Sequence, residues 1–210
     1  MPSSDIKIPI GSMMLEGILI IPKNAKALVV FVHGGSNSRF SPRNNTVAEE
    51  LRKKGFATLL FDLLSEEEDS IYENRFNIQL LSDRLAIVTK WLLNNPDTKN
   101  LKIGYFGSST GSAAALMTAG KLGVKIHAIV SRGGRPDLAM LSLGMVKSPI
   151  LLIVGAEDYG VIELNQHAYV HLQCVKEMEL IPDATHLFEE AGTLDEVSKL
   201  AAKWFKKYLH

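Results

Sequence analysis

The run Ala27 to Val32 is apolar without interruption or alternation, the pattern of a strand covered on both faces, and it opens a series of such strands separated by helical segments. Further strands read at Phe56 to Phe61, Leu101 to Phe106, Ile126 to Val130, Ile150 to Val154 and Glu177 to Ile181. Strands alternating with helices at this interval specify a mostly parallel sheet with helices on both faces. Two shorter runs, 5–10 and 13–21, are separated by Gly11 and Ser12 and predict an N-terminal hairpin of two antiparallel edge strands. The expected architecture is a single domain over residues 1–210 with about eight strands in one sheet.

The helices between the strands have recognisable ends. Ser41 followed by Pro42 reads as a cap with proline at the first helical position, and that helix runs to Lys54 before Gly55. An acidic loop, Ser65 to Ser70, precedes a long helix in which Phe76, Leu80, Leu81, Leu85, Val88, Trp91 and Leu92 recur at helical spacing, closed by Asn95, Pro96 and Asp97. Gly111 to Lys121 and Ile162 to Leu172 are the next helices, and Asp137 reads as a helix start. The last helix opens with Thr193 and Glu196 in capping-box spacing.

Composition narrows the partners. The 23 basic and 23 acidic residues balance, so there is no overall field to hold a polyanion, and nucleic acid is not expected to bind. No apolar stretch approaches the roughly 18 residues of a membrane span. The first residues lack the pattern of a secretory signal, and the one cysteine, Cys174, precludes an internal disulfide framework; the expectation is a soluble cytoplasmic protein.

In an open parallel sheet, ligands bind beyond the carboxyl ends of the strands, so the loops there are the place to seek chemistry. One such loop is Gly107-Ser108-Ser109-Thr110-Gly111. A Gly-x-Ser-x-Gly pattern arises by chance in roughly 7% of chains of this length, but here it lies between the strand LKIGYF and the helix SAAALMTAG, as a nucleophile turn requires. The glycines permit the tight approach of backbone on either side, and Ser109 is the candidate nucleophile. The N–H of Thr110, at the start of a helix, is a natural donor to an oxyanion.

A serine hydroxyl needs a base, and the base needs an orienting acid. Among the histidines after Ser109, His186 lies in the loop directly following the last strand, in PDATHLFEE, whereas His127 starts a strand, His167 and His171 lie four apart on a helix, and His210 is terminal. That helical pair lacks an evident third ligand, so no metal is expected, nor any cofactor. Asp158, in LLIVGAEDYG after a strand, is the candidate acid. The loop after Ala27–Val32 begins His33-Gly34-Gly35, and Gly35 or Ser36 is expected to supply the second oxyanion donor, with His33 holding the loop. In VSRGGRPDL, Arg132 and Arg135 are candidates to bind a carboxylate or phosphate on the substrate; the competing reading pairs them with Asp62 or the acidic run Glu66, Glu67, Glu68 and Asp69.

From the hairpin through VVFVHGG, FDLL, GYFGSSTG, VSRGGRPDLA, LLIVGAED and ATHLFEE, the chain resembles the α/β hydrolases, and within them the small dienelactone hydrolase-like branch. Its last segments look like a bacterial subgroup sometimes fused to a phosphoribosyltransferase domain, of which this sequence carries no segment. The resemblance implies the α/β-hydrolase fold without a lid domain, and acyl transfer to water through an ester on Ser109, with His186 as acid and base and Asp158 orienting it. Dienelactone hydrolases proper use a cysteine where this chain has Ser109, and Cys174 is expected to be a buried apolar residue. The expected substrates are small esters or lactones; a catalytically silent binding protein and triad chemistry at another acyl or phosphoryl centre are the alternatives. Oligomeric state is not encoded in these motifs.

Overall fold

The computed structural model describes residues 3–35 and 38–209. The chain forms β1 (Ser3–Ile10), β2 (Met13–Ile20), β3 (Ala27–Val32), α1 (Pro42–Lys53), β4 (Ala57–Phe61), a short α2 (Glu66–Asp69), a 3-10 turn at Tyr72–Phe76 and α3 (Ile78–Asn94). It continues with β5 (Lys102–Ser108), α4 (Thr110–Leu122), β6 (Ile126–Arg132), a 3-10 turn at Pro136–Ala139 and α5 (Met140–Leu143), then β7 (Ile150–Gly155), α6 (Tyr159–His171), β8 (Lys176–Ile181) and α7 (Thr193–Tyr208).

The eight strands make one sheet in the order β1-β2-β4-β3-β5-β6-β7-β8, parallel from β4 to β8, with the hairpin joined antiparallel to β4 through β2. The expectation of two edge strands is corrected here. Within the hairpin only β1 is an edge, because β2 pairs with β4 on its other side, and Leu15 and Leu19 of β2 are buried in the core on one face of the sheet. From β3 the chain first adds β4 on one side and then returns to add β5 on the other. The loops leaving β3 and β5 therefore diverge, and such a switch point opens a crevice at the carboxyl ends.

Period-two alternation divides the buried strand residues between two layers. Leu28, Val30, Ile103, Tyr105, Ile129 and Leu152 face α3 and α4, where the buried Tyr105 hydroxyl meets Thr89 Oγ1 at 2.6 Å. Val29, Phe31, Phe106, Val130 and Ile153 face α1 and α7, against Val47, Leu51, Val197 and Phe205. Helix α1 begins as expected, with Ser41 Oγ accepting from the Asn44 N–H and Gly55 following in a left-handed conformation (φ 89°).

Four local expectations are corrected. The acidic stretch is not a loop: Ser65 and Glu68 form a reciprocal capping box, and Arg84 pairs with Glu68, which together hold four acidic residues in a helical turn. Helix α3 starts at Ile78, not before Phe76, because the Asn77 side chain accepts from the Leu80 N–H and caps the helix there. The predicted capping box of α7 does not form. Gly192 occupies the cap position at φ 82°, and the Thr193 hydroxyl donates back to the Glu190 carbonyl instead. Helix α6 also begins three residues earlier than its apolar pattern suggests, at Tyr159.

Candidate active site

The turn between β5 and α4 is built by close backbone contact. A side chain at Gly111 would collide with the carbonyl of Val32 at the end of β3, and a Cβ on Gly107 would lie 2.6 Å from the Ser112 Cα. Across the crevice, a Cβ on Gly34 would collide with the Thr110 hydroxyl. These glycines interlock the His33-Gly34-Gly35 loop with the turn. Ser109 takes φ 50° and ψ −127°, a conformation that costs a non-glycine residue about 1–3 kcal/mol and is kept only where surrounding packing imposes it. The two serines are thereby separated. Ser108 completes β5 and is buried, whereas Ser109 is partly exposed at the helix start, and its carbonyl accepts from the Ser112 and Arg135 N–H groups.

His186 and Asp158 come from two loops that lie against one another. The N–H groups of Ala156 and Glu157 donate to the carbonyls of Ile181 and Ala184, and a side chain at Gly155 would collide with the Ala184 carbonyl. This contact brings His186 Nδ1 to 2.7 Å from Asp158 Oδ2. Asp158 occupies the cap position of α6 yet caps nothing with its side chain. Its carboxylate is turned to the imidazole. The loop 133–135 lies between this pair and the serine: a Cβ on Gly133 would lie 3.5 Å from His186 Cε1, and Arg135 binds the Ser109 carbonyl. Ser109 Oγ and His186 are joined by no hydrogen bond among the described residues. Bonds of this kind are commonly loose until substrate is bound.

At the candidate oxyanion loop, the Gly35 N–H points at His33 Nδ1, 3.3 Å away. That contact requires His33 to carry its proton on Nε2. Burial, then the nearby Arg132 and Arg43, push the His33 pKa down to about 4, so the ring is neutral and able to accept. Ser36, the other expected donor, lies outside the described residues. Thr110 begins α4 with its N–H in the first turn.

The crevice above Ser109 holds about 310 Å³ and is lined by His33, Gly34, Gly35, Thr110 and one wall that the sequence did not suggest: Asp69, Tyr72, Arg75 and Phe76. Tyr72 and Phe76 stand exposed with ring centroids 5.2 Å apart, and Arg75 clasps Asp69 through two bonds of 2.7 and 2.8 Å. The signal for this wall was Asn77. A cap there leaves Phe76 outside the helix and free to face the crevice. A larger cavity of about 400 Å³ between Met14, Arg39, Asp62 and Glu67 contains none of the candidate site residues, and Arg39 there pairs with both Asp62 and Glu16.

The two arginines separate. Neither pairs with the acids expected of them, because Asp62 is held by Arg39, Glu68 by Arg84 and Asp69 by Arg75. Arg135 instead makes a two-pronged bond to Asp137 at 2.9 and 2.8 Å, since the turn at Pro136 folds the carboxylate back onto it. Arg132 is buried beside the Phe188 ring with no carboxylate in ion-pair range among the described residues. Burial lowers its pKa to about 10. His167 and His171 pack edge to face at 5.1 Å, and no cluster of three metal-ligating side chains occurs among the described residues. Cys174 is partly buried against the core, and burial raises its thiol pKa. No helix among the described residues is long and apolar enough to cross a membrane.

A mostly parallel eight-stranded sheet with a serine at a strained strand-to-helix turn, and an acid–histidine pair on the following strand ends, defines an α/β hydrolase. More narrowly, residues 15–209 match the model of the dienelactone hydrolase family, and the chain belongs to that family. A dienelactone hydrolase from Anabaena variabilis is 49% identical, with a TM-score of 0.96 over 100% of this chain and 99% of its own. Est1E from Butyrivibrio proteoclasticus shares the fold at 15% identity, with a TM-score of 0.82 over 97% of this chain and 98% of its own. A Mycobacterium tuberculosis protein carrying the provisional name phosphoribosyl transferase is 50% identical over 98% of this chain. The chain spans 46% of that relative's length.

Proposed function

We propose that this hydrolase is a serine esterase that cleaves small esters or lactones through an acyl-enzyme on Ser109. The observation that carries the reading is the 2.7 Å contact between His186 Nδ1 and Asp158 Oδ2, formed by loops packed against the segment that binds the Ser109 backbone. An Nδ1–H donating to a carboxylate leaves Nε2 as an acceptor, the form that a general base requires.

In this mechanism His186 Nε2 takes the Ser109 proton as the oxygen attacks the ester carbonyl. Asp158 stabilises the imidazolium that results. The charge that develops on the carbonyl oxygen is met by the Thr110 N–H at the start of α4 and by a donor from the loop after His33; an N–H of this kind contributes about a hundred- to a thousandfold in rate. His186 then returns the proton to the leaving alcohol, and water repeats the sequence to release the acid.

The crevice favours small substrates. Its 310 Å³ would take a short acyl group against Tyr72 and Phe76, and the members of the fold that carry esterase names support this bond type. The transferase name belongs to a protein of which this chain spans under half. Steady-state hydrolysis of p-nitrophenyl acetate tests the proposal: Ser109→Ala and His186→Ala should each lower kcat by several orders of magnitude. Wild-type rates in either variant would remove it.

A further inference from the structure

The mechanism leaves one buried charge unused. Ser108 and Arg132 are partners across β5 and β6, and both lie on the sheet face that continues Phe106 and Val130 toward α1 and α7. His33 follows Phe31 by two, one residue past the end of the adjoining β3, and Arg43 is in the first turn of α1. Arg132 is only 7% exposed, and its Nε and Nη1 have no hydrogen-bond partner among the described residues. The same holds for Ser108 Oγ and Arg43 Nε, while Arg43 Nη1 binds Glu189 at 2.7 Å. The Phe188 ring, 6.0 Å from the Arg132 guanidinium carbon, supplies a face but no counter-charge.

A buried guanidinium with idle donors is costly unless an anion accompanies it. Arginine stays charged at neutral pH even with its pKa lowered as here, so the cost is not relieved by losing the proton. The neighbouring groups reinforce the sign. Arg43 is a second cation, paired through Nη1 with Glu189, His33 is neutral, and Asp62 is engaged with Arg39 and Ser38. We propose that Arg132, together with Ser108 and Arg43, forms a binding site for one small oxyanion, a carboxylate or phosphate group, beside the His186 loop. The site adjoins the residue before the nucleophile, so the group can be a free ion or the acidic end of a substrate.

Inorganic phosphate is the probe, compared with sodium chloride at equal ionic strength. It should raise the melting temperature of the wild-type chain saturably. Arg135→Ala, which removes the same formal charge from the pair with Asp137, should respond like wild type. Arg132→Gln should need about tenfold more phosphate or beyond, as expected when charge-assisted bonds are lost. Arg132→Met guards against a merely unfolded variant: without the buried charge it should melt at or above the wild-type temperature in phosphate-free buffer and show no response to phosphate.

A second arm separates the sources and rests on the esterase reading, as the melting arm does not. If p-nitrophenyl hemisuccinate is preferred over p-nitrophenyl butyrate in kcat/KM and Arg132→Gln abolishes the preference, the anion is the substrate's. Phosphate binding without such a preference assigns the site to a free ion. An inactive protein that still binds phosphate through Arg132 keeps the site and removes the esterase. Equal responses in wild type and both Arg132 variants, or no response beyond that to chloride, overturn the proposal.

Discussion

Replacing Gly107 by alanine probes how the strand-to-helix turn is made. Gly107 lies within β5 at a negative φ, so the backbone itself accepts a side chain. The obstacle is space. The new Cβ would lie 2.6 Å from the Ser112 Cα, 3.0 Å from its nitrogen and 3.1 Å from the Gly111 carbonyl oxygen, all of them backbone of the first turn of α4. Ordinary contact begins near 3.4 Å, so the helix start must retreat by about 0.8 Å. Overpacking of this kind costs about 1–3 kcal/mol. The same retreat moves Ser109, and a misplacement near 1 Å lowers turnover by up to about a hundredfold.

Gly160→Ala is the matched control, because that position is helical and a Cβ there meets nothing within 4 Å. It should stabilise the chain by about 0.5–1 kcal/mol, since alanine loses less backbone freedom, and leave turnover unchanged. Urea denaturation and p-nitrophenyl acetate hydrolysis read both effects. A Gly107→Ala variant with the wild-type urea midpoint and rate would refute the packing argument.

Other outcomes follow from the site. Asp158→Asn should lower kcat on the order of a thousandfold or more while leaving the unfolding free energy from urea denaturation within about 1 kcal/mol, because an amide can donate to Nδ1 and stabilise the wrong tautomer. His33 should make stability fall with acid. Its folded pKa of about 4 lies below the ordinary 6.5, so between those values the unfolded chain binds a proton that the folded chain does not. Stability is full above about pH 6.5, declines through that window and levels below about 4. Part of the ring reaches the surface, which makes about 3 kcal/mol the ceiling. His33→Asn, which keeps an acceptor for the Gly35 N–H, should flatten the fall between pH 7 and 5 in urea unfolding. Arg135→Ala should cost no more than about 1 kcal/mol, since its partner Asp137 sits in a partly exposed turn, and should affect neutral and anionic esters alike. Tyr72→Ala with Phe76→Ala should raise KM for acyl groups larger than acetyl more than for acetate, as the exposed wall of the crevice is removed.

What the sequence revealed depended on whether a feature is set locally or by contacts far along the chain. Ala27 to Val32 has no alternation because both faces of β3 are covered, and that is visible in six residues. The turn at Ser109 is equally visible in its local pattern, because Gly107 answers to the backbone of Ser112 a few residues on, although Gly111 answers to Val32 on a distant strand. Asp158 and His186 could be picked out as residues after strands, but their meeting depends on Gly155 packing against Ala184, which no local pattern records. The stretch from Ser65 to Ser70 reads as a loop since four consecutive acids suggest a solvated segment, whereas Arg84, sixteen residues past Glu68, holds them helical. Arg132 and Arg135 looked equivalent three residues apart. Proline at 136 gives one of them a carboxylate, and the strand buries the other.

The esterase reading rests on Ser109 being a nucleophile that His186 activates. Labelling the folded chain with a fluorophosphonate and mapping the modified peptide by mass tests that most directly. The predicted result is a single adduct on Ser109 that is absent in His186→Ala. An adduct on Ser108, or no adduct on a chain that remains folded, would contradict it.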